Sequence, residues 1–230
     1  MKKRLITAMV LLCVASLRAE DYQYQYFSTE KKKYVPFSDY IPLSRLHYQT
    51  VPHHLEDFYL LYGMKQYYNE NSLRKNIDRL KIALECKFRH PSEALVQVDT
   101  EQEYYKYRNL MFMHINLLIM RNHMTIASRY DKQKIYFYNA DFADDIKKSL
   151  EIARDYYSQA IPYWEKAREY AHKASTVKIT TRLSYMESER YSIIKGKLDF
   201  GKIIGTHMDK LNDKRNKLDA LLAASASTPQ

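Results

Sequence analysis

Residues 104–130 read YYKYRNLMFMHINLLIMRNHMTIASRY, and this stretch decides the fold of the chain. Nine of the eleven residues 110–120 are apolar, and the whole stretch contains neither glycine nor proline. Long unbranched side chains lose little rotamer freedom in a helix, so this composition predicts a helix. A helix that is apolar on nearly all sides must be covered on nearly all sides. We therefore predict a central buried helix with other helices packed around it.

A membrane span is the alternative interpretation of the same stretch. Its uninterrupted apolar run is far shorter than the roughly 20 residues that a bilayer requires, and Arg108 and Arg121 flank it closely. We therefore predict no integral membrane span. His114, which lies inside the apolar run, is interpreted as a hydrogen-bonded core histidine.

The composition favours an all-α protein. Among 230 residues there are only 4 glycines and 6 prolines, but 22 tyrosines. Few glycines means few tight turns, which argues against a β-rich fold and against glycine-lined phosphate loops. The formal net charge of +10 is compatible with an acidic partner surface but does not identify one.

Residues 1–19 have the pattern of an export signal. Three basic residues at positions 2–4 precede an apolar segment at 6–15, and cleavage after Ala19 leaves Glu20 as the new N-terminus. We therefore predict an exported protein with a cleavable signal peptide. An uncleaved N-terminal anchor is a less favoured alternative.

The two cysteines bear on the same question. Cys13 raises the alternative of a lipoprotein, but Leu12 stands where a small residue normally precedes a lipidated cysteine. With residues 1–19 removed, Cys86 is left alone and has no cysteine with which to form an internal disulfide. Cys86 lies in an apolar helical pattern, so we interpret it as a packed small hydrophobe.

Residues 20–37 are interpreted as an extended arm rich in tyrosine and lysine. Its tyrosines alternate with polar residues, which is the period of a strand, yet the chain offers no clear partner strand. The arm is either a flexible terminus or a segment that docks on a neighbouring molecule through its tyrosines. Its candidate protein-contact residues are Tyr22, Tyr24, Tyr26, Phe27, Lys31, Lys32 and Lys33.

Residues 38–222 are predicted to form one all-helical domain. A helix is expected over 55–68, and another is expected to start with a cap at Asn71 or Ser72 and to run to about Arg89. One face of this second helix is apolar, formed by Leu73, Ile77, Leu80, Leu84 and Phe88. After a break near 138–141, helical spacing continues to Ser175. Pro162 either kinks that run or begins a new helix.

A long C-terminal helix is predicted over 183–222. Its apolar residues follow the heptad spacing of a coiled coil, with Arg215 at an expected apolar site. Gly201 and Gly205 share a face, which permits close helix contact or marks a bend. The tail 223–230 is small and polar and is expected to be disordered. The candidate protein-contact residues of this helix are Met208, Leu211, Arg215 and Leu218.

No catalytic signature accompanies these helices. The sequence lacks GxSxG, Walker-type, HExxH and CxxC motifs, and we predict no enzyme activity, metal or cofactor. The acidic residues of the C-terminal half are interpreted as members of solvated, charge-mixed helix faces. They are Glu165, Glu169, Glu187 and Glu189.

One segment is similar to a repeat motif. Residues 160–167, AIPYWEKA, resemble the second helix of a tetratricopeptide repeat, in which small alanines let helices stack. The match occurs once, without a 34-residue period, so a helical hairpin is favoured over a repeat array. It supports an alternative function as a helical adaptor or scaffold that binds one protein partner.

The excess of tyrosine beside lysine and arginine indicates contacts with other proteins. Nucleic-acid binding through stacking and charge is the competing explanation. The export signal counts against it, so we expect no nucleic-acid partner.

Three stretches carry a family resemblance: YYNENSLRKNI at 67–77, FRHPS at 88–92 and RYDKQKIYF at 129–137. Together, over about 40–175, they resemble the flagellar-coiling proteins of spirochaetes, which sheathe the periplasmic flagellar filament. The resemblance implies an elongated, bent, all-α protein without catalysis, located in the periplasm. It also implies contacts with other filament or sheath proteins, self-association into a lattice, and a role in filament curvature and motility. The family has no short site motif to carry over.

Overall fold

A computed structural model of the protein describes residues 52–131 and 142–226, and these residues form an all-α helical bundle. Their only β-type contact is an isolated bridge between His54 and Lys87. Six α-helices follow in chain order: α1 (Leu55–Phe58), α2 (Glu70–Glu85), α3 (Glu101–Tyr130), α4 (Ala143–Ser175), α5 (Ser184–Ile194) and α6 (Phe200–Ala226). A π-helical turn, Tyr59–Gly63, extends α1, and a 3₁₀ turn, Pro91–Glu93, precedes α3. The predicted all-α fold is confirmed.

Helix α3 is the buried centre of the bundle. Its first turn is closed by a capping box in which the Thr100 hydroxyl accepts from the Glu103 N–H and the Glu103 carboxylate accepts from the Thr100 N–H. Leu110 and Leu117 have no solvent exposure, and most residues between them are equally buried. Neighbouring helices therefore cover nearly all of this apolar stretch, as predicted.

Helices α3 and α4 form an antiparallel hairpin. Phe112 stacks on Tyr170 with ring centroids 5.0 Å apart, and at the other end the Ser149 hydroxyl donates to the Tyr130 carbonyl at 2.9 Å. Small side chains recur every seven residues along α4 and are completely buried. An alanine stripe lets two helix backbones approach closely, which agrees with the predicted hairpin. These residues are Ala153, Ala160, Ala167 and Ala174.

Helix α2 also runs antiparallel to α3 and lies beside α4. Arg74 lies over the Tyr156 ring at 5.1 Å, and seven residues further along both helices Lys81 lies over the Tyr163 ring at 5.9 Å. The predicted apolar face of α2 points inward, since Leu73, Ile77 and Leu80 are buried. Asn69, rather than Asn71 or Ser72, caps the helix by accepting from the Ser72 N–H at 2.9 Å.

Helix α2 ends at Glu85, four residues before the predicted end. Cys86 is already extended because the Lys87 carbonyl accepts from the Leu55 N–H at 3.0 Å. The predicted helix over 55–68 is likewise shorter, since helical turns end at Gly63. The difference in α2 arises from this contact, which pairs the start of α1 with the chain after α2.

Helix α6 packs antiparallel on α4. Lys147 pairs with Asp219 at 2.5 Å near one end, and Trp164 packs edge-on against Phe200 at 5.6 Å near the other. Gly201 lies under Trp164, because a Cβ at this position would come 3.0 Å from the indole Nε1. The glycine thus permits close contact between the two helices, which is one of the two predicted alternatives.

The prediction of one helix over 183–222 is wrong. Gly196 adopts φ 69°, and its N–H donates to the Ile193 carbonyl while the Lys197 N–H donates to the Ser192 carbonyl. This Schellman arrangement ends α5, because a left-handed residue cannot continue an α-helix. The long C-terminal helix is therefore α6 alone.

Two further differences concern single segments. Pro162 lies inside α4 without ending it, and both Pro162 and Ser158, whose carbonyl loses its helical donor, are exposed to water. Helix α6 continues through Ala226, so the first four residues of the predicted disordered tail are helical. Alanine is the strongest helix former, which explains the extension. The predicted signal at 1–19 and the arm at 20–37 lie outside the described residues.

Across the described helices, none combines the length and the apolar character that crossing a membrane requires.

Candidate functional site

A buried carboxylate network fastens α1 to the rest of the bundle. Glu56 has no solvent exposure; it accepts from the Tyr107 hydroxyl at 3.0 Å and from the Arg89 N–H at 3.1 Å. Burial raises the pKa of Glu56, although both hydrogen bonds act in the opposite direction. The Arg89 guanidinium pairs with Asp57. One short helix, the chain after α2 and the first half of α3 are thereby joined.

A second network joins α3 to α5 through Glu189. Its carboxylate lies 2.5 Å from His114 Nδ1 and accepts from Arg121 at 2.7 Å. Burial alone would raise the pKa of Glu189, but His114 and Arg121 together hold it below its ordinary value. The prediction of His114 as a hydrogen-bonded core histidine is confirmed.

A third network joins the same two helices through Lys106, a lysine that is only 2% exposed. Its Nζ lies 2.9 Å from Glu187 and donates to the Ile179 carbonyl at 2.6 Å. Arg190 binds the other oxygen of Glu187 at 2.8 Å. Burial would raise the pKa of Glu187, but Lys106, Thr181 and Arg190 lower it.

The interpretation of Glu187 and Glu189 as solvated residues is wrong, since each is only 7% exposed. The burial of these two glutamates could have been inferred from the cationic residues of α3. A buried helix that carries Lys106 and Arg121 requires anions from a neighbour, because an unpaired buried charge is strongly destabilising. Glu165 and Glu169 are exposed as predicted, and Glu169 pairs with Lys166 and Lys173 at the surface.

A fourth network holds α6 to the end of α3. Lys214 Nζ donates to the Asp131 carbonyl at 2.6 Å and to its carboxylate at 2.8 Å. The Tyr157 hydroxyl donates to the same carboxylate at 3.2 Å, and the His207 ring stacks on Tyr157 at 4.9 Å. Burial and then the Asp131 charge raise the pKa of Tyr157 well above its usual range, so the phenol stays neutral.

His123 is buried without a hydrogen bond. The ring is 2% exposed, neither nitrogen has a hydrogen-bond partner among the described residues, and it lies against Tyr156 and Tyr163 at 5.9 and 5.7 Å between centroids. Burial, with a smaller contribution from Lys81, lowers its pKa to about 4. His123 is therefore a neutral, stacked core residue at neutral pH.

The four networks share one design. Each buried carboxylate faces a cation or hydroxyl from a different segment, so the charges serve to join helices. Within 52–131 and 142–226, no group of three or more histidine, cysteine, aspartate or glutamate side chains is placed to hold a metal ion.

The predicted contact residues of α6 fall into two groups. Leu211 and Leu218 are 3% and 1% exposed, and Met208 packs against the core, so all three are used within the chain. Arg215 alone is exposed. The predicted contact residues of the arm, from Tyr22 to Lys33, lie outside the described residues.

Two exposed tyrosines of the C-terminal half lie on α5. We call Tyr185, Tyr191, Lys195 and Lys197 the α5 tyrosine surface. The two tyrosines are 61% and 49% exposed, and the ammonium groups of Lys195 and Lys197 lie 5.9 and 5.7 Å from the Tyr191 ring centroid. Sequence reasoning noted the excess of tyrosine but did not select these two.

The fold defines an all-α bundle in which ion pairs join the helices. Residues 102–221, which are 120 of the 230, match the model of a family described as a domain of unknown function, DUF8513. The chain therefore belongs to this family. No curated protein sequence and no solved structure matches it. The matched region runs from the first turn of α3 into α6, so it includes the α5 tyrosine surface and omits α1 and α2.

Proposed function

We propose that this chain is a non-catalytic structural protein of the periplasmic flagellar filament sheath, where it contributes to filament curvature and motility. It reaches the periplasm through the cleavable signal at 1–19. The filament as partner rests on the resemblance over residues 40–175. The structural role is supported by helices that are joined through buried ion pairs, because such pairs are satisfied in one arrangement of the helices and so suit a subunit of fixed shape.

The α5 tyrosine surface is the observation that carries the proposal. Tyrosine buries a large area and loses little side-chain entropy, so exposed tyrosines are frequent anchors of protein interfaces. Lysine beside Tyr191 adds a positive rim that suits an acidic neighbour. In the proposed assembly this surface contacts a filament or sheath protein or a second copy of the chain, and the arm at 20–37 supplies further contacts.

Co-sedimentation of the purified mature protein with isolated periplasmic filaments tests the proposal. The wild-type protein is expected to pellet with the filaments, and the variant Y185S/Y191S is expected to remain largely in the supernatant. Tyr68→Ser is the matched control, because Tyr68 is 76% exposed and does not belong to the α5 tyrosine surface. A wild-type protein that neither pellets with filaments nor associates with itself contradicts the proposal.

Deletion of the gene tests the cellular role. Cells without the protein are expected to have straighter filaments and reduced motility, seen by microscopy of cells and of isolated filaments. Filaments of unchanged curvature would remove the shape-determining part of the proposal.

A helical adaptor that binds one protein partner is the second candidate. The alanine stripe of α4 supports it, because Ala160 and Ala167 pack as small residues do in stacked helical hairpins. This alternative predicts a one-to-one complex with a single partner, whereas the sheath protein predicts self-association. Analytical ultracentrifugation of the protein, alone and with filament subunits, distinguishes the two.

A further inference from the structure

An open groove runs along the outer seam between α4 and α6. Its lining consists of Lys147, Leu150, Glu151, Arg154, Leu211, Asn212 and Arg215, and it is shallow and open to solvent. Leu150 and Leu211 are buried and form an apolar floor. Because the groove is shallow and open to solvent, it suits a surface contact with another molecule rather than an enclosed cofactor.

The rim of the groove is positive. Three cations face one carboxylate, Glu151, and the carboxylate of Asp219 already neutralises Lys147 at 2.5 Å. The described part of the chain supplies no carboxylate in salt-bridge contact with Arg154 or Arg215, although Arg215 acts on Asp219 at longer range. Two guanidinium groups on opposite walls are thus available to an anionic ligand, and guanidinium favours bidentate carboxylate contacts.

The same seam has room for a helix further along. On α6, Arg215, Asn212, Met208 and Gly205 follow spacings of three and four residues and therefore share one face. Gly205 lies inside the helix, is exposed, and has nothing within 4 Å of the position of a Cβ. A glycine there weakens the helix by roughly 1 kcal/mol relative to alanine. Unlike Gly201, it has no packing role within the chain, so the open space fits close approach by another backbone.

An exposed aliphatic side chain lies on the opposite wall. Ile161 is 38% exposed, and its spacing of seven from Arg154 places both on one stripe of α4. Trp164 on α4 contacts Phe200 on α6, and the two helices are antiparallel. Ile161, one turn before Trp164, therefore lies at about the same height along the seam as Gly205, which follows Phe200 by five residues. The groove therefore offers an apolar section beside a cationic section.

We propose that the α4–α6 groove binds an amphipathic helix of a partner protein that carries acidic residues beside its apolar face. An apolar side chain of this helix covers Ile161, its backbone crosses Gly205, and its carboxylates bind Arg154 and Arg215. None of these residues belongs to the α5 tyrosine surface, so the inference stands apart from the proposed filament contact.

Fluorescence anisotropy tests this inference with the full mature chain. The probe is a labelled peptide of roughly 20 residues, long enough to form a helix, with leucines along one face and glutamates beside them. A matched peptide replaces every glutamate with lysine. The glutamate peptide is expected to bind, and the lysine peptide is expected to bind at least about tenfold more weakly.

Two groove variants should each weaken binding of the glutamate peptide by about tenfold or more. In R154E/R215E the rim charge is reversed, and in Gly205→Leu a side chain is added where a Cβ meets no described residue within 4 Å. The controls are Lys210→Glu and Thr206→Leu, which change charge and size on exposed faces of α6 outside the groove. Both controls are expected to bind as the wild type does, and circular dichroism confirms that every variant is folded.

Three results would overturn the inference. They are no binding of the glutamate peptide to the wild-type chain, equal binding of the two peptides, and unchanged binding in both groove variants. A duplex oligonucleotide is included as a third probe. If it bound more tightly than the glutamate peptide and lost affinity in the same variants, the groove would be assigned to nucleic acid. Loss of filament co-sedimentation in the α5 variant, with peptide binding intact, would separate the two sites.

Discussion

Lys106 and Glu187 form an ion pair of 2.9 Å in which both side chains are almost completely removed from solvent. Lys106 lies on the central helix and Glu187 on α5, 81 residues further along the chain. The lysine has a second acceptor in the Ile179 carbonyl, and the glutamate has a second donor in Arg190. Such full pairing is what makes a buried charge tolerable.

Removing one partner of this pair should be strongly destabilising. For Lys106→Met, which leaves the Glu187 carboxylate buried and short of a cation, we expect a loss of about 3–5 kcal/mol in the free energy of unfolding. Urea denaturation measures it. The double variant K106M/E187Q should lose less than the sum of the single changes. Lys166→Ala, at an exposed pair with Glu169, is the control and should leave the denaturation midpoint unchanged.

Truncation in the central helix tests whether α3 is the core. Leu117→Ala should lower the free energy of unfolding by about 2–5 kcal/mol, because Leu117 has no exposure and the cavity cannot collapse. Ile152→Ala, on the exposed side of α4, should have a much smaller effect. A loss below about 1 kcal/mol for Leu117→Ala would show that α3 does not carry the core.

His123 should make the protein sensitive to mild acid. Its pKa is about 4 in the folded protein and about 6.5 in the unfolded chain, so the unfolded state binds the proton more readily. Stability is therefore expected to fall as the pH drops from about 6.5 to about 4, and to change no further from this source below that. The total loss from this residue is on the order of 3 kcal/mol.

The variant His123→Phe isolates this contribution. It keeps a ring between Tyr156 and Tyr163 but has no group that titrates. Chemical denaturation at several pH values between 4 and 7 should give a flatter stability curve for the variant than for the wild type. Parallel curves would mean that His123 titrates in the folded protein as it does in the unfolded chain.

Two glycines should respond in opposite directions to the same substitution. Gly196→Ala should destabilise the protein by about 1 kcal/mol or more, because φ 69° is unfavourable for a residue with a Cβ. Gly205→Ala should stabilise it by up to about 1 kcal/mol, since the added methyl group meets nothing and improves helix propensity. Thermal unfolding followed by circular dichroism measures both changes. An equal effect of the two substitutions would contradict these backbone assignments.

The features of the fold that depend on one segment at a time were predicted from the sequence. The all-α class, the burial of α3 and the inward face of α2 follow from composition and from spacing in one segment. The end of α5 was missed because residues 183–222 contain no proline, and a glycine such as Gly196 by itself weakens a helix without ending it. Only the left-handed conformation of that glycine ends the helix.

The candidate sites depend on distant residues, and this explains what sequence reasoning missed. Glu187 and Glu189 look like members of a solvated helix when α5 is considered alone. Their burial follows from cations that lie about 70–80 residues earlier on α3. Likewise, Leu211 and Leu218 form an apolar stripe that suits either a partner molecule or α4, and spacing alone does not distinguish the two.

The pairing of Glu187 and Glu189 with different parts of α3 restricts how α5 can be aligned. Glu187 meets Lys106, and Glu189, two residues later, meets His114 and Arg121. A shift of α5 by one residue in either direction would bring Met186 or Ser188 to a buried cation and leave a carboxylate without one. The two glutamates together therefore fix the register of α5 against α3. A pull along α5 must break both ion pairs together before the helix can slide.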